Sequence, residues 1–246
     1  SSEKEKTPSS LLATSSPSSS QTQMLIKHLE SMPPQKGLLI YEQENEERTQ
    51  RVLTILEAFQ NRNILIFIPE KKRNHWLKNF QTQKLKNPDR YYLLSFTDSA
   101  IPQILKTDLR EFFIVIDSTD DFFRLTRSQD RKKANLAAKL FAKLKSGYQK
   151  ILLTDSILHS QASDLSYYMN FISSDLNFPY NDSDFQKHLM KESAFQTFFQ
   201  KHFLSNSTIQ ALLPTIPALT VLAFGLSSFT LPLALGAAFI TSKSLI

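Results

Sequence analysis

The chain of 246 residues contains no cysteine, so disulfides, thiolate metal sites, cysteine nucleophiles and thiol redox chemistry are all excluded. It contains only four glycines, far below the usual share of about 7%. A loop that cradles phosphate needs successive backbone N–H groups turned inward, in conformations that residues with a Cβ resist. A function built on such a loop therefore meets an obstacle in the composition itself. Charge of one sign does not dominate either: 29 Lys and Arg against 23 Asp and Glu give a net charge of +6. That is milder than in a protein dedicated to coating nucleic acid. The five histidines, His28, His75, His159, His188 and His202, lack metal-ligand spacing and read as surface or packing residues.

What is present divides the chain into three parts. Residues 1–20 hold nine serines, with Leu11, Leu12 and Ala13 as their only apolar content. Such a segment cannot bury enough surface to offset its ordering entropy, and it is predicted to be a disordered leader. Arg is absent from it while Glu3 and Glu5 are present, which does not fit a transit peptide. Residues 21–205 read as a globular domain. Five short, nearly continuous apolar runs, Leu38–Tyr41, Ile64–Ile68, Tyr91–Phe96, Phe112–Ile116 and Ile151–Leu153, lack polar alternation. Strands buried on both faces of a parallel sheet read this way. Between them, Thr49–Phe59 places Val52, Leu53, Leu56 and Phe59 on one helical face, and Ala134–Leu144 does the same with Leu136, Leu140, Phe141 and Leu144. The alternation predicts βαβ crossovers and an α/β fold, a single parallel sheet flanked by helices. Two further helical stretches rich in aromatics, Asp164–Ile172 and Asp184–Phe203, are expected to pack back on the sheet.

Residues 206–246 differ again. No Lys, Arg, Asp or Glu occurs from Phe203 to Ser242. A helix over Leu219–Thr241 would be about 34 Å long, enough to cross a hydrocarbon core of about 30 Å. Pro214, Pro217 and Pro232 also suit a kinked span or a hairpin. A buried core helix is the alternative, but the segment has no polar face. The expectation is therefore a membrane-associated chain tethered by this tail.

The strand Gly37–Tyr41, the loop Glu42–Glu47 and the helix that begins near Arg48 and Thr49 have the layout of a phosphate-binding loop, G-x-x-x-x-G-K-[ST]. Here the chain resembles the first RecA-like lobe of superfamily-two helicases, in particular Swi/Snf-type ATPases and the nucleoside triphosphatases of large DNA viruses. The resemblance continues in order through "NILIFIPEKKRNHW" (63–76), Tyr91–Phe96, the sequence Ile114 to Asp120 at the place of motif II, and Ile151 to Ile157 at the place of motif III. It covers about Gln21–Phe203. It implies a nucleotide site, yet each chemical position departs from the family pattern. The loop Glu42, Gln43, Glu44, Asn45, Glu46, Glu47, Arg48, Thr49 has no glycine. Its four glutamates surround the place of a triphosphate, where like charges about 4 Å apart cost about 4 kcal/mol at an effective dielectric of 20. Arg48 stands for the lysine and is not an equivalent point charge. In motif II, Asp117 is kept as a candidate magnesium ligand and Ser118 stands for the catalytic glutamate. Motif III loses its glycine and proline to Asp155 and Ile157. No second lobe follows in the chain.

These departures predict a pseudo-ATPase: no catalytic residue, no metal, no cofactor. A fold kept without its chemistry serves as a surface, so the expected partners are other proteins of a larger assembly, which the viral side of the resemblance extends to a virion. The alternative is a nucleic-acid-binding module. Three basic clusters are candidate contacts to nucleic acid or anionic lipid: Lys71, Lys72 and Arg73; Lys84–Arg90; and Arg131, Lys132 and Lys133, with Lys139, Lys143 and Lys145 beyond them. Asp117, Asp120 and Asp121 form an acidic cluster at a strand end, where a divalent ion or plain solvation are both open. Ser156 with His159 lacks the glycine-flanked elbow of a serine nucleophile.

Overall fold

A computed structural model describes residues 17–31, 37–41, 45–145, 149–154 and 165–172, with 177, 179–181 and 183–184. Residues 1–16, the loop residues Glu42 and Glu44, the motif III residues after Thr154, and the tail 206–246 lie outside the described residues. Among the described residues, no helix is long and apolar enough to cross a membrane.

Helix α1 (Pro17–Ser31) opens the described chain. The last four residues of the expected leader therefore belong to a helix. Pro17 at its start is preset for that conformation, and Leu25, Ile26 and Leu29 are buried below it. Five strands follow as expected, with no end shifted by more than one residue: β1 (Gly37–Tyr41), β2 (Asn63–Ile68), β3 (Tyr91–Ser95), β4 (Phe112–Asp117) and β5 (Lys150–Thr154). All pairings are parallel, in the order β1-β5-β4-β2-β3. Helix α2 (Glu46–Glu57) starts three residues before the expected Thr49 because Asn45 caps it. The Asn45 Oδ1 accepts from Arg48 N at 2.7 Å, and Glu46 and Glu47 suit the positive end of the helix. The remaining helices are α3 (Arg73–Thr82), α4 (Ile101–Lys106), α5 (Thr119–Thr126), α6 (Arg131–Lys145) and α7 (Leu165–Ile172).

The connections decide which face each helix covers. From β1 to β2 and on to β3 the chain moves toward the β3 edge; from β3 to β4 and on to β5 it moves back. Right-handed crossovers in opposite directions put their helices on opposite faces. Accordingly α1, α2 and Trp76 of α3 share one core with Leu38, Ile40, Ile64, Ile66, Phe113, Val115, Ile151 and Leu153. On the other face lie α4 to α7, where Phe122, Phe123, Phe141, Tyr168 and Phe171 pack ring against ring. The period of two along a strand assigns Asp117 of β4 to the Phe113 and Val115 face, under α2 and α3. The connections after β2 and after β4 diverge, so the crevice at the C-terminal ends of these two neighbouring strands is the topological switch point, where open α/β sheets place their sites.

At the opposite end of the sheet, long cationic side chains close the turns. The Arg90 guanidinium donates to the carbonyls of Leu56, Phe59 and Arg62 at 2.8–2.9 Å and to Glu57 at 3.0 Å. Lys150 is fully buried; its Nζ donates to the carbonyls of Leu144 at 2.7 Å and Lys145 at 3.0 Å, 5.0 Å from the Phe171 ring centre. It thereby caps the C-terminal end of α6.

Burial, with a smaller push from Lys145, lowers the Lys150 amine to about 7. A neutral amine still has two N–H groups for the two carbonyls. Because the folded value lies below the unfolded one, the unfolded chain holds the extra proton between about pH 7 and 10.5, and stability from this group rises with pH across that window. Lys150→Met lacks the group. The stability difference between wild type and Lys150→Met in urea should shift toward the wild type from pH 7 to 10, by up to about 1.4 kcal/mol per unit. A difference that stays flat would mean the amine remains charged when buried.

Candidate functional site at the switch point

The C-terminal rim of the sheet is built from the last residues of the strands. Register sets Tyr41 of β1 beside Thr154 of β5, and Leu153 beside Asp117 of β4. Asp117 is completely buried, and the chain leaves β4 through a cis Asp117–Ser118 peptide. Three donors converge on its carboxylate. Arg48 Nη2 from the first turn of α2 lies 3.1 Å from Oδ1. Lys72 Nζ, from a 3-10 turn over Glu70–Lys72 just after β2, lies 3.0 Å from the same oxygen. The indole Nε1 of Trp76, four residues on and hence one helical turn away, donates to Oδ2 at 3.0 Å.

A second layer surrounds this centre. Thr49, buried beside Arg48, places Oγ1 2.7 Å from His75 Nε2. Asp120, in the first turn of α5, accepts from Thr154 Oγ1 at 2.9 Å and from Arg124 Nη1 at 2.8 Å. Thr119 Oγ1 donates to the Leu153 carbonyl at 3.0 Å and so ties α5 to β5. Ser118 is buried at the start of α5. Glu46 pairs with Lys78 at 2.6 Å, a hydrogen bond that holds its carboxyl below the usual range. Glu47 and Asn45 are exposed at the surface end of α2.

The chain thus joins two residues that sequence analysis assigned to one site, Arg48 and Asp117, to a third that it assigned elsewhere. Lys72 was expected in a solvated basic cluster, but only 7% of its side chain reaches water. It follows β2 directly, so the switch point faces it inward. Its neighbours remain at the surface: Lys71, 70% exposed, lies 3.4 Å from Asp121, and Arg73 pairs with Glu70 at 2.7 Å and approaches Asp98 at 3.9 Å. Three such residues do not form one patch. Arg131, Lys132 and Lys133 are exposed, as expected, at the start of α6. His75 and Trp76 were not expected in the site. The spacing of Lys72 and Trp76 on one helical face was the available signal.

Among solved structures, the chain is similar to the Sulfolobus solfataricus SWI2/SNF2 ATPase core in complex with dsDNA, with a TM-score of 0.50 and 12% sequence identity over 92% of this chain. The likeness is one of fold, a RecA-like parallel sheet flanked by helices. The match spans only 57% of that ATPase core. No family model and no curated protein matches the sequence.

The resemblance implies a magnesium nucleotide between the α2 N-terminus and Asp117 of such a lobe. The donor set does not fit one. Both Asp117 oxygens already receive cationic or N–H donors, two of them full charges, which satisfies an anion and disfavours a third cation at the same carboxylate. The Thr49 hydroxyl is turned to His75. No group of three or more His, Asp or Glu side chains able to hold a metal occurs among the described residues.

Removing one partner from a buried ion cluster strands the others. Asp117→Asn should therefore destabilise the domain by roughly 3–5 kcal/mol, read as a lower urea midpoint. Trp76→Phe keeps the ring and removes one N–H donor, and should cost about 1–2 kcal/mol. Equal effects from the two variants would mean that the cations do not depend on Asp117.

Proposed function

We propose that this chain is a RecA-like lobe that has lost nucleotide chemistry and acts as a structural component of a larger protein assembly, held at a membrane by residues 206–246. The observation that carries the reading is the pairing of Arg48 and Lys72 with Asp117, which fills the place of a phosphate-bound metal with the protein's own cations. Asn45, Glu46 and Glu47 ahead of Arg48, with no glycine among them, and Ser118 after Asp117 support the same pseudo-ATPase reading. The tether rests on the charge-free run from Phe203 to Ser242. A virion is one such assembly, and that extension rests on the resemblance alone.

A nucleotide at 100 times its Kd would add about 2.7 kcal/mol of stability. Millimolar ATP with magnesium should produce no rise in Tm and no hydrolysis above background. Arg48→Lys should not rescue binding, because Lys72 and Trp76 still hold Asp117. A clear rise in Tm with the unmodified chain would sink the pseudo-ATPase reading. For the tether, deleting Leu219–Ile246 should release a folded protein from membranes; aggregation of the truncated chain would mean that this segment is core.

A second reading, a nucleic-acid-binding module, has support of its own. Arg131, Lys132 and Lys133 are exposed, and the SWI2/SNF2 core was solved on double-stranded DNA.

A further inference from the structure

Charge in this chain is local. Residues 127–145 hold seven Lys and Arg and a single carboxylate, Asp130, so this stretch alone equals the net +6 of the whole chain. Asp130 is turned to α6, where its Oδ1 accepts from the backbone N–H groups of Lys132 and Lys133 at 3.1 and 3.2 Å. The apolar side of α6 is spent on the core through Ala137, Leu140 and Leu144. Its outward side alternates cations with small residues: Arg131, Lys132 and Lys139 beside Ala138 and Ala142, all exposed. No large aliphatic side chain stands exposed there, so this helix face offers charge without a wedge for acyl chains.

Beside it stands an aromatic ladder. Tyr167 of α7 is anchored in the core by Phe123 at 5.7 Å and by Phe141 of α6 at 6.2 Å, centroid to centroid. The Arg127 guanidinium lies 4.3 Å from its ring centre. Tyr180 packs on Tyr167 at 4.8 Å and keeps 44% of its surface in water. Ser166 Oγ donates to the Pro179 carbonyl, fixing the segment that carries Tyr180 against α7. A ring held in this way has little rotamer freedom left to lose on stacking.

We propose that the outward face of α6 and the Arg127–Tyr167–Tyr180 ladder form a docking surface for single-stranded nucleic acid, the cations tracking the phosphates and Tyr180 stacking an unpaired base. This inference rests on the nucleic-acid reading above and names its site and its strandedness. Phosphate charge alone would suit duplex, single strand or anionic lipid alike; a water-facing aromatic seated on Tyr167, whose ring carries the Arg127 guanidinium, selects exposed bases. The surface lies on the α4–α7 side of the sheet, apart from the buried Asp117 cluster, so binding here needs no nucleotide.

The test uses the full chain and three probes: a labelled oligothymidine, a duplex of equal length, and phosphatidylserine–phosphatidylcholine vesicles. Oligothymidine should bind in low salt, with affinity falling about linearly in the logarithms as salt rises. Tyr180→Ala should weaken it about fivefold or more, as expected for one stacked base, and leave the duplex unaffected. Lys132→Glu with Lys139→Glu should weaken both nucleic acids and flatten the salt slope. Far-ultraviolet circular dichroism should show both variants folded, since the three side chains are exposed. Duplex and oligothymidine binding that both ignore Tyr180→Ala would overturn the single-strand site and leave the nucleic-acid reading standing. No binding of either probe would remove both. Vesicle binding that falls with the charge reversal, without oligothymidine binding, would assign the face to lipid instead.

Discussion

A carboxylate stays charged inside a protein only when donors surround it, and β4 delivers one into the interior by its period of two. Phe113, Val115 and Asp117 share a face, and the first two belong to the core under α1 and α2. Asp117 is therefore buried by the strand that carries it, and the elements above must answer its charge. Helix α2 answers with Arg48, and the turn after β2 answers with Lys72 and, one helical turn later, Trp76. Three segments distant in sequence are fixed at one carboxylate. The same point is the switch point of the sheet, where an enzyme of this architecture would keep its ligand. Here Arg48, Lys72 and Trp76 converge on the Asp117 carboxylate at that point.

The poverty in glycine has a structural counterpart at the other end of the sheet. Helices commonly end on a left-handed glycine that turns the last carbonyls back onto the chain. No glycine lies between Ala58 and Asn63, where α2 gives way to β2. The carbonyls of Leu56, Phe59 and Arg62 are instead collected by the Arg90 guanidinium, reaching in from the start of β3. Arg62 likewise takes the Phe112 carbonyl at 2.8 Å, 50 positions away. Arginine has five N–H donors in a fixed fork, so one buried side chain can replace several local turns. The arrangement links elements far apart in sequence, which a glycine cap does not.

Strand positions were legible because five apolar runs without alternation admit few other readings, and the face of α2 was legible because its apolar residues recur at helical spacing. That Arg48 and Asp117 belong to one site followed from resemblance alone, and their ion pair was not expected; no spacing in the sequence brings together residues 69 positions apart. Lys72 could not be read. In the sequence it sits between Lys71 and Arg73, and composition treats the three alike. Their fates diverge only because the turn after β2 points one of them at the switch point. Helix α1 was hidden for a similar reason: serine-rich sequence has weak local preference, and Leu25, Ile26 and Leu29 become informative only once the sheet beneath them exists.

The two charged regions of the molecule follow opposite rules. At the switch point, two cations are drawn inward and largely neutralised at a buried carboxylate, with an indole completing the shell. Along α6, cations accumulate on a surface without a carboxylate on the helix to answer them, since Asp130 is committed to the helix start. A cluster of the first kind fixes the fold and offers little to a ligand. A face of the second kind contributes little to the fold, because solvated charges of one sign repel weakly across water, and it raises the local potential toward a polyanion. On the proposal above, the face for a polyanion lies on the flank of the helices and not at the ends of the strands, where Asp117 already has Arg48, Lys72 and Trp76 as partners.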